Sequence, residues 1–357
     1  MNTASPTSMQ RVLTTLGQQE PDRVPLFLLF TMHGAKELGL PIGQYLSSGE
    51  RVAEGQIRLL EKFGHDCLYP FFYAAMETEA FGGEVLYFDD GPPNAGRPLI
   101  ETPEAILGLT PPAVRDAPCV LRVLECERLL KAHVGDRVPI IGVVMSPFSL
   151  PVMQMGFENY LKLLYERRDL FDRLMQVNEE FCVAWANAQL EAGATAICYF
   201  DPVSSPTVIP PAMYRTLGQP VAARTIARIK GPTATHFASG RTAAIIPDIA
   251  ATGTAIVGAS GIEDLAAVKA ACRSHGLTVL GNLNGVEMRT WSHDQAVAAV
   301  KSAIAAAGPG GGFILSDNHG EIPWQVPDDV LHAVVEAART WGTYPLTWTG
   351  EGEGIGR

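Results

Sequence analysis

At 357 residues the chain is long enough for one large domain or two ordinary ones, and 47% apolar against 18% charged residues excludes disorder as a description of the whole. Its 38 acidic and 27 basic side chains leave a net charge of −11, which argues against a nucleic-acid backbone or an anionic membrane surface as the main partner. The longest apolar runs fall far short of the roughly 20 residues of a membrane helix, and Met1 to Gln10 has no signal-peptide pattern, so a cytoplasmic protein is expected.

A helical extension over about residues 1–20 precedes a buried first strand, Val24 to Phe30, introduced by Pro21. Gln44 to Phe63 reads as a helix and Asp66 to Tyr69 as a short second strand, followed by an excursion over about 71–138. From there β-rich apolar runs alternate with stretches patterned for helix. The runs are Ile140 to Met145, Ala194 to Phe200, Thr233 to Ala238, Ala255 to Ser260, Thr278 to Leu283 and Gly312 to Ser316. Apolar spacings of three and four at Val297, Val300, Ile304 and Ala307, and again at Val330, Val334 and Ala338, mark helices that cover a sheet.

Eight parallel strands with following helices close most simply into a single (β/α)8 TIM barrel over residues 1–357, with a doubly wound open sheet as the alternative. Neither G-x-G-x-x-G nor a Walker A motif is present, and the glycines at 308 and 310–312 precede a strand, where they serve a tight turn rather than a phosphate. Six cysteines without a C-x-x-C pair read as reduced core thiols.

In a barrel the chemistry sits at the carboxyl ends of the strands. Those positions carry His33, Asp201, His236, Ser260, Asn282, Asn284, Asp317, Asn318 and His319. Each also has a plain structural use. His236 and His319 could be rim histidines bonded to backbone, His33 a turn cap beside Gly34, Asp201 a turn starter before Pro202, and the asparagines could satisfy loop amides. Glu77 and Glu79 read as a solvated helix start, with a functional carboxylate pair in reserve. His236 and His319, on the fifth and eighth strands, would meet across the mouth as two imidazole ligands of a metal. A third ligand could be Asp201, Glu77, Asp317 or a substrate atom, and no local motif such as H-E-x-x-H chooses among them.

Several segments together carry a family likeness: PDRVPLF, FGHDCLYP with METEAFGGEVLYFDDGPP, IIGVVMSPFSLPVMQMGFENYL, EAGATAICYFDPVSSPTVIPPAMYRTLGQP, THFASG, VLGNLNG and GPGGGFILSDNHGEIPWQVPDDVLHAVVEAARTWGTYP. In this order, over nearly the whole chain, they resemble the uroporphyrinogen decarboxylase superfamily, and within it the corrinoid-linked methyltransferases. The resemblance implies a (β/α)8 barrel and, in the methyltransferase branch, a zinc held by His-x-Cys after strand five and Cys after strand eight. His236 stands at that histidine, Ala238 in place of the first cysteine, and His319 near the second.

Imidazole in place of thiolate suits a branch that removes methyl groups from ethers or amines better than zinc-thiol chemistry. The decarboxylase itself is the other reading, and NHGEIP looks like its strand-eight histidine segment. Its polycarboxylate substrate needs arginines at the mouth, whereas this chain has LFTMHGAKELG after the first strand and Met153 where the decarboxylase has a tyrosine.

The expectation is a corrinoid-protein-dependent methyltransferase acting on a small methylated ether, amine or thiol, with the corrinoid on a separate protein because no D-x-H-x-x-G occurs. His236, His319 and Asp201 are the expected catalytic and zinc-binding residues, and Asn282, His33 and Ser260 the substrate contacts. A homodimer is expected from the resemblance. A barrel that only binds a tetrapyrrole or small acid is the alternative of a different class.

Overall fold

A computed structural model describes residues 5–349; the ends of the predicted single domain, residues 1–4 and 350–357, lie outside the described residues. A two-stranded antiparallel hairpin, β1 (Val85–Leu86) and β2 (Asn94–Ala95), stands apart in the excursion. The main sheet is parallel, with six strands in sequence order: β3 (Ile141–Met145), β4 (Ala196–Phe200), β5 (Thr233–His236), β6 (Ile256–Gly258), β7 (Thr278–Leu283) and β8 (Phe313–Asp317).

Two further segments complete the circle. The amide of Phe27 donates to Leu315 O (2.8 Å), and Leu315 donates to Pro25 O (2.9 Å), so β8 pairs with the start of the chain. Asp66 donates to Leu26 O (2.7 Å), while Leu68 and Ile141 exchange bonds with Pro139 and Leu68 (2.8 and 2.9 Å). The fold is a (β/α)8 barrel, and an open doubly wound sheet is excluded by this return of β8 to residues 25–27. The first two predicted strands are reduced to single bridges, Leu26 to Leu315 and Leu68 to Ile140. Pro25 and Pro70 explain part of this: neither has an N–H to donate to a ladder.

Alternate residues of the eight segments fill the interior. Phe27, Leu29, Cys67, Tyr69, Val143, Cys198, Ala234, Ile256, Leu280 and Ile314 form one buried cluster, and Val12 of the helix Ser8–Leu16 joins it. That helix is held by Asp66, which is fully buried and accepts from Arg11 (2.7 Å), Arg23 (2.7 and 3.0 Å), Ser8 (2.8 Å) and the Leu26 amide (2.9 Å). The opposite faces of the strands pack on the helices in two larger apolar clusters.

Side-chain caps fix where the outer helices begin. Asp264 accepts from Ala266 and Ala267 at the start of Leu265–Ser274, and Ser292 forms a capping box with Gln295 at His293–Ala307. The helix predicted from Gln44 is broken: Ile42–Tyr45 stops, and Gly49–Phe63 starts anew behind Ser48, whose hydroxyl accepts from the Arg51 amide. The glycine-rich segment makes the expected tight turn, with positive φ at residues 310, 311 and 312. No described helix is long and apolar enough to cross a membrane.

Candidate active site

His236 closes β5 and is buried, its ring stacked on Phe200 of β4 with centroids 5.5 Å apart and planes inclined by 21°. The turn after β8 covers it. Gly320 there has φ +82°, and a Cβ would stand 2.6 Å from Phe200 Cε2 and 3.2 Å from His236 Cε1, so a residue without a side chain lets this turn close on the ring. The turn carries His319, and the structure therefore brings His236 and His319 to one rim of the barrel, at the carboxyl ends of β5 and β8.

The hydrogen bonding of His236 decides its chemistry. Ala238 adopts a left-handed φ of 50°, which turns its amide back to donate to His236 Nδ1 at 3.1 Å. Nδ1 is therefore the acceptor nitrogen and the proton sits on Nε2, which is buried with no partner. Burial, with the nearby His319 as a lesser cause, lowers the ring's pKa to about 4, so near neutrality His236 is an uncharged N–H donor.

His319 is partly exposed, and burial lowers its pKa too. Its Nε2 lies 3.3 Å from Asn284 Oδ1, an oxygen that already accepts from the amides of Val286 and Glu287.

Asp201 does not join the two histidines. One carboxylate oxygen accepts from Ser146 (2.5 Å) and Ser149 (2.7 Å), which ties the loop after β4 to the loop after β3. Among the described residues no three His, Cys, Asp or Glu side chains form a group that could hold a metal. A histidine bound to zinc through Nε2 donates from Nδ1–H to an acceptor, and here Nδ1 faces a donor. The zinc expected from the resemblance does not fit these residues as they are arranged, since His236 Nδ1 faces a donor and Asp201 is engaged with Ser146 and Ser149 rather than with His236 and His319.

The expected substrate contacts differ among themselves. Asn282 donates to Ser260 O (3.1 Å) and Ser260 donates to Ser239 O (2.8 Å), which links the end of β7 to the loops after β6 and β5. Asn282 stays partly exposed, while Ser260 is buried. His33 opens the helix His33–Leu38 in a buried position, with neither ring nitrogen bonded and Phe30 and Trp324 as aromatic neighbours; burial lowers its pKa to about 3.

Carboxyl groups were harder to place from sequence. Glu77, expected in a solvated helix start, is buried: Oε1 accepts from the Met145 amide (2.9 Å), Oε2 has no partner, and burial raises its pKa to about 7. Glu79 instead meets Tyr73 and Arg122. Asp317 caps the turn after β8, accepting from the amides of His319 (2.8 Å) and Gly320 (2.9 Å), and burial raises its pKa to about 6. Glu321 accepts from Thr31 (2.7 Å), and desolvation raises its pKa to about 7. Its only sequence signal is its place two residues beyond His319.

The uroporphyrinogen decarboxylase (URO-D) family matches residues 7–341. The chain belongs to this family. Among relatives of this URO-D family member is the methylcobamide:CoM methyltransferase MtaA of Methanosarcina barkeri, 33% identical over 131 residues, which cover 37% of this chain and 38% of that protein. The chain thus aligns with well under half of that relative's length. Uroporphyrinogen decarboxylase of Xylella fastidiosa is 26% identical over 354 residues, covering 92% of this chain and 97% of that one. A solved methyltransferase from Methanosarcina mazei superposes with a TM-score of 0.81 at 21% identity, covering 94% and 99% of the two chains; at that identity the likeness establishes the fold.

Proposed function

We propose that this URO-D family member is a methyltransferase that takes a methyl group from a small methylated substrate, with a separate corrinoid protein as its second substrate. The observation that carries this reading is the distribution of buried charge. At the carboxyl end the buried His33 and His236 are uncharged near neutral pH, burial raises Glu77 and the neighbouring Glu321 to about 7, so that each still holds its proton part of the time there, and burial also raises Asp317 to about 6 and Asp201 above its ordinary value. The two buried cations among the described residues, Arg11 and Lys269, belong to the other end, on Asp66 and on the Gly311 carbonyl before β8. A substrate with many carboxylates needs fixed guanidinium groups around it. A mouth of proton donors suits a leaving group that must be protonated as its methyl departs.

The reduced corrinoid supplies a two-electron nucleophile for the methyl group. The chain's own part is to bind the donor, hold its methyl toward the open mouth and manage the proton. Glu321 Oε1 takes the Thr31 hydrogen bond, which leaves the carboxyl proton for Oε2 and the leaving atom. His236 Nε2–H, at the same rim, is a second fixed N–H donor left free for a bound substrate. The named relative MtaA supports the methyl-transfer reading. The full-length match to the Xylella decarboxylase favours decarboxylation as the second reading.

The two separate in one experiment. Purified protein is mixed with free cob(I)alamin and a panel of methylated alcohols, ethers, amines and thiols, and formation of methylcobalamin is followed by its absorption. Parallel samples receive uroporphyrinogen and are assayed for released carbon dioxide. Methylcobalamin formation that is lost in Glu321→Gln is the expected result; carbon dioxide release without methyl transfer from any donor transfers the chain to the decarboxylases.

A further inference from the structure

Tyr69, on the second barrel segment, reaches across the interior to the turn after β8. It is 1% exposed, and its hydroxyl donates to Gly320 O at 3.0 Å. Burial pushes the phenol further above its ordinary value, so the hydroxyl keeps its proton throughout the neutral range and is a fixed donor. Gly320 O belongs to the planar peptide group that leads into Glu321, the acid of the proposed transfer. We infer that Tyr69 is a positioning residue for that acid: its hydroxyl fixes the plane of the Gly320–Glu321 peptide and so the direction in which the Glu321 carboxyl is presented. The inference rests on the methyl-transfer reading above and adds to it a residue that sets the geometry of the proton donor.

The other bonds of the turn leave that plane undetermined. On the strand side Asp317 accepts from the amides of His319 and Gly320 at 2.8 and 2.9 Å. On the far side the Ile322 amide donates to Leu29 O at 3.1 Å. Gly320 lies between them with φ +82° and no side chain, so the peptide after it has the widest rotational freedom in the turn. A hydrogen bond at its carbonyl removes that freedom.

Tyr69 is itself held in place. Its amide donates to Gln56 Oε1 (3.1 Å), and the buried Gln56 side chain also donates to Phe30 O (2.8 Å). Gln56 thus joins the first two barrel segments near their carboxyl ends. Thr31, the residue after Phe30, donates to Glu321 Oε1 at 2.7 Å. One glutamine therefore sets the spacing of two hydroxyls, Tyr69 on the peptide and Thr31 on the carboxyl group, and the pair holds the acid in one orientation.

The test uses the full chain and Tyr69→Phe, which removes one oxygen and keeps the ring. Tyr344→Phe is the control: Tyr344 donates to Gly308 O at 2.6 Å, so it loses the same kind of bond at the amino end of β8. Amide hydrogen exchange read by mass spectrometry should be about tenfold faster or more in a peptide spanning residues 318–326 of Tyr69→Phe, with residues 278–283 unchanged. With cob(I)alamin and a methyl donor that the wild type accepts, kcat should fall about 10- to 100-fold in Tyr69→Phe while KM stays within about twofold. Tyr344→Phe should match wild type. In a Glu321→Gln background, Tyr69→Phe should cost less than about twofold more, because the group it positions is already gone. Unchanged exchange in that peptide, an unchanged kcat, or the same fold-loss with and without the Glu321 carboxyl overturns the assignment while methyl transfer stands. Faster exchange in the peptide with no methyl transfer from any donor keeps Tyr69 as the anchor of the turn and removes the methyl-transfer reading instead.

Discussion

At His236 one backbone amide determines what the side chain can do. The sequence places His236 and His319 at strand ends and so locates the rim. It cannot show which ring nitrogen carries the proton, because that depends on the left-handed turn at Ala238, a residue type with no preference for such a φ. Two outcomes follow from the Nε2–H form. Dialysis against 1,10-phenanthroline is expected to leave the methyl-transfer rate unchanged, and elemental analysis to find well under one zinc per chain in wild type and in His236→Ala alike. One zinc per chain, lost in that variant, would refute the donor assignment. The second outcome concerns pH. His236, at about 4, does not titrate near neutrality, whereas Glu321, at about 7, must hold its proton to serve as the acid. The rate of methyl transfer should therefore fall as pH rises through about 7, and Glu321→Gln should lose roughly 10²- to 10⁴-fold and flatten the profile. A rate that climbs across the same range contradicts the role.

Among the elements, β3 to β8 were legible because each is a short β-branched or apolar run between helix patterns. The first two barrel segments were legible as buried runs but not as mere bridges, since prolines remove part of their ladder. Glu77 was misread for a different reason: the helix Met76–Ala80 belongs to the excursion, and whether its first turn faces water depends on β3 and the helix Arg168–Ala192, far away in sequence. Asp66 shows the same limit. It reads as an ordinary strand start, yet it is the buried hub that joins the helix Ser8–Leu16 and Arg23 to the ring. Asp66→Ala leaves two guanidinium groups facing a lost carboxylate, one of them on the buried Arg11, so equilibrium urea unfolding should show a loss of about 3–5 kcal/mol. Because this hub lies at the amino ends of the strands, KM for the methyl donor in the folded fraction should not change. A loss under about 1 kcal/mol would mean the network is incidental.

For the whole molecule, two sets of buried groups set the pH range of stability, and they pull in opposite directions. Glu77, Asp317 and Glu321 have native pKa values raised to about 7, 6 and 7 by burial. Between the ordinary carboxyl range and those values the native state holds protons that the unfolded chain has released, so their contribution is complete at low pH and is lost as pH rises to about 7. His33, His65 and His236 are lowered to about 3, 4 and 4, again by burial. Below the ordinary histidine range the unfolded chain binds the extra protons, so their contribution is complete above about 6.5 and is lost as pH falls. The two sets offset each other over the mildly acidic range, and a wild-type curve alone cannot separate them. Glu77→Gln does, since an amide oxygen still accepts from the Met145 amide while the titration is removed. Relative to wild type, this variant should gain on the order of 2 kcal/mol between pH 5 and pH 8, read from urea unfolding at both values. Parallel curves for the two proteins would place the Glu77 carboxyl in contact with water and remove it from the set of buried acids that distinguishes this mouth.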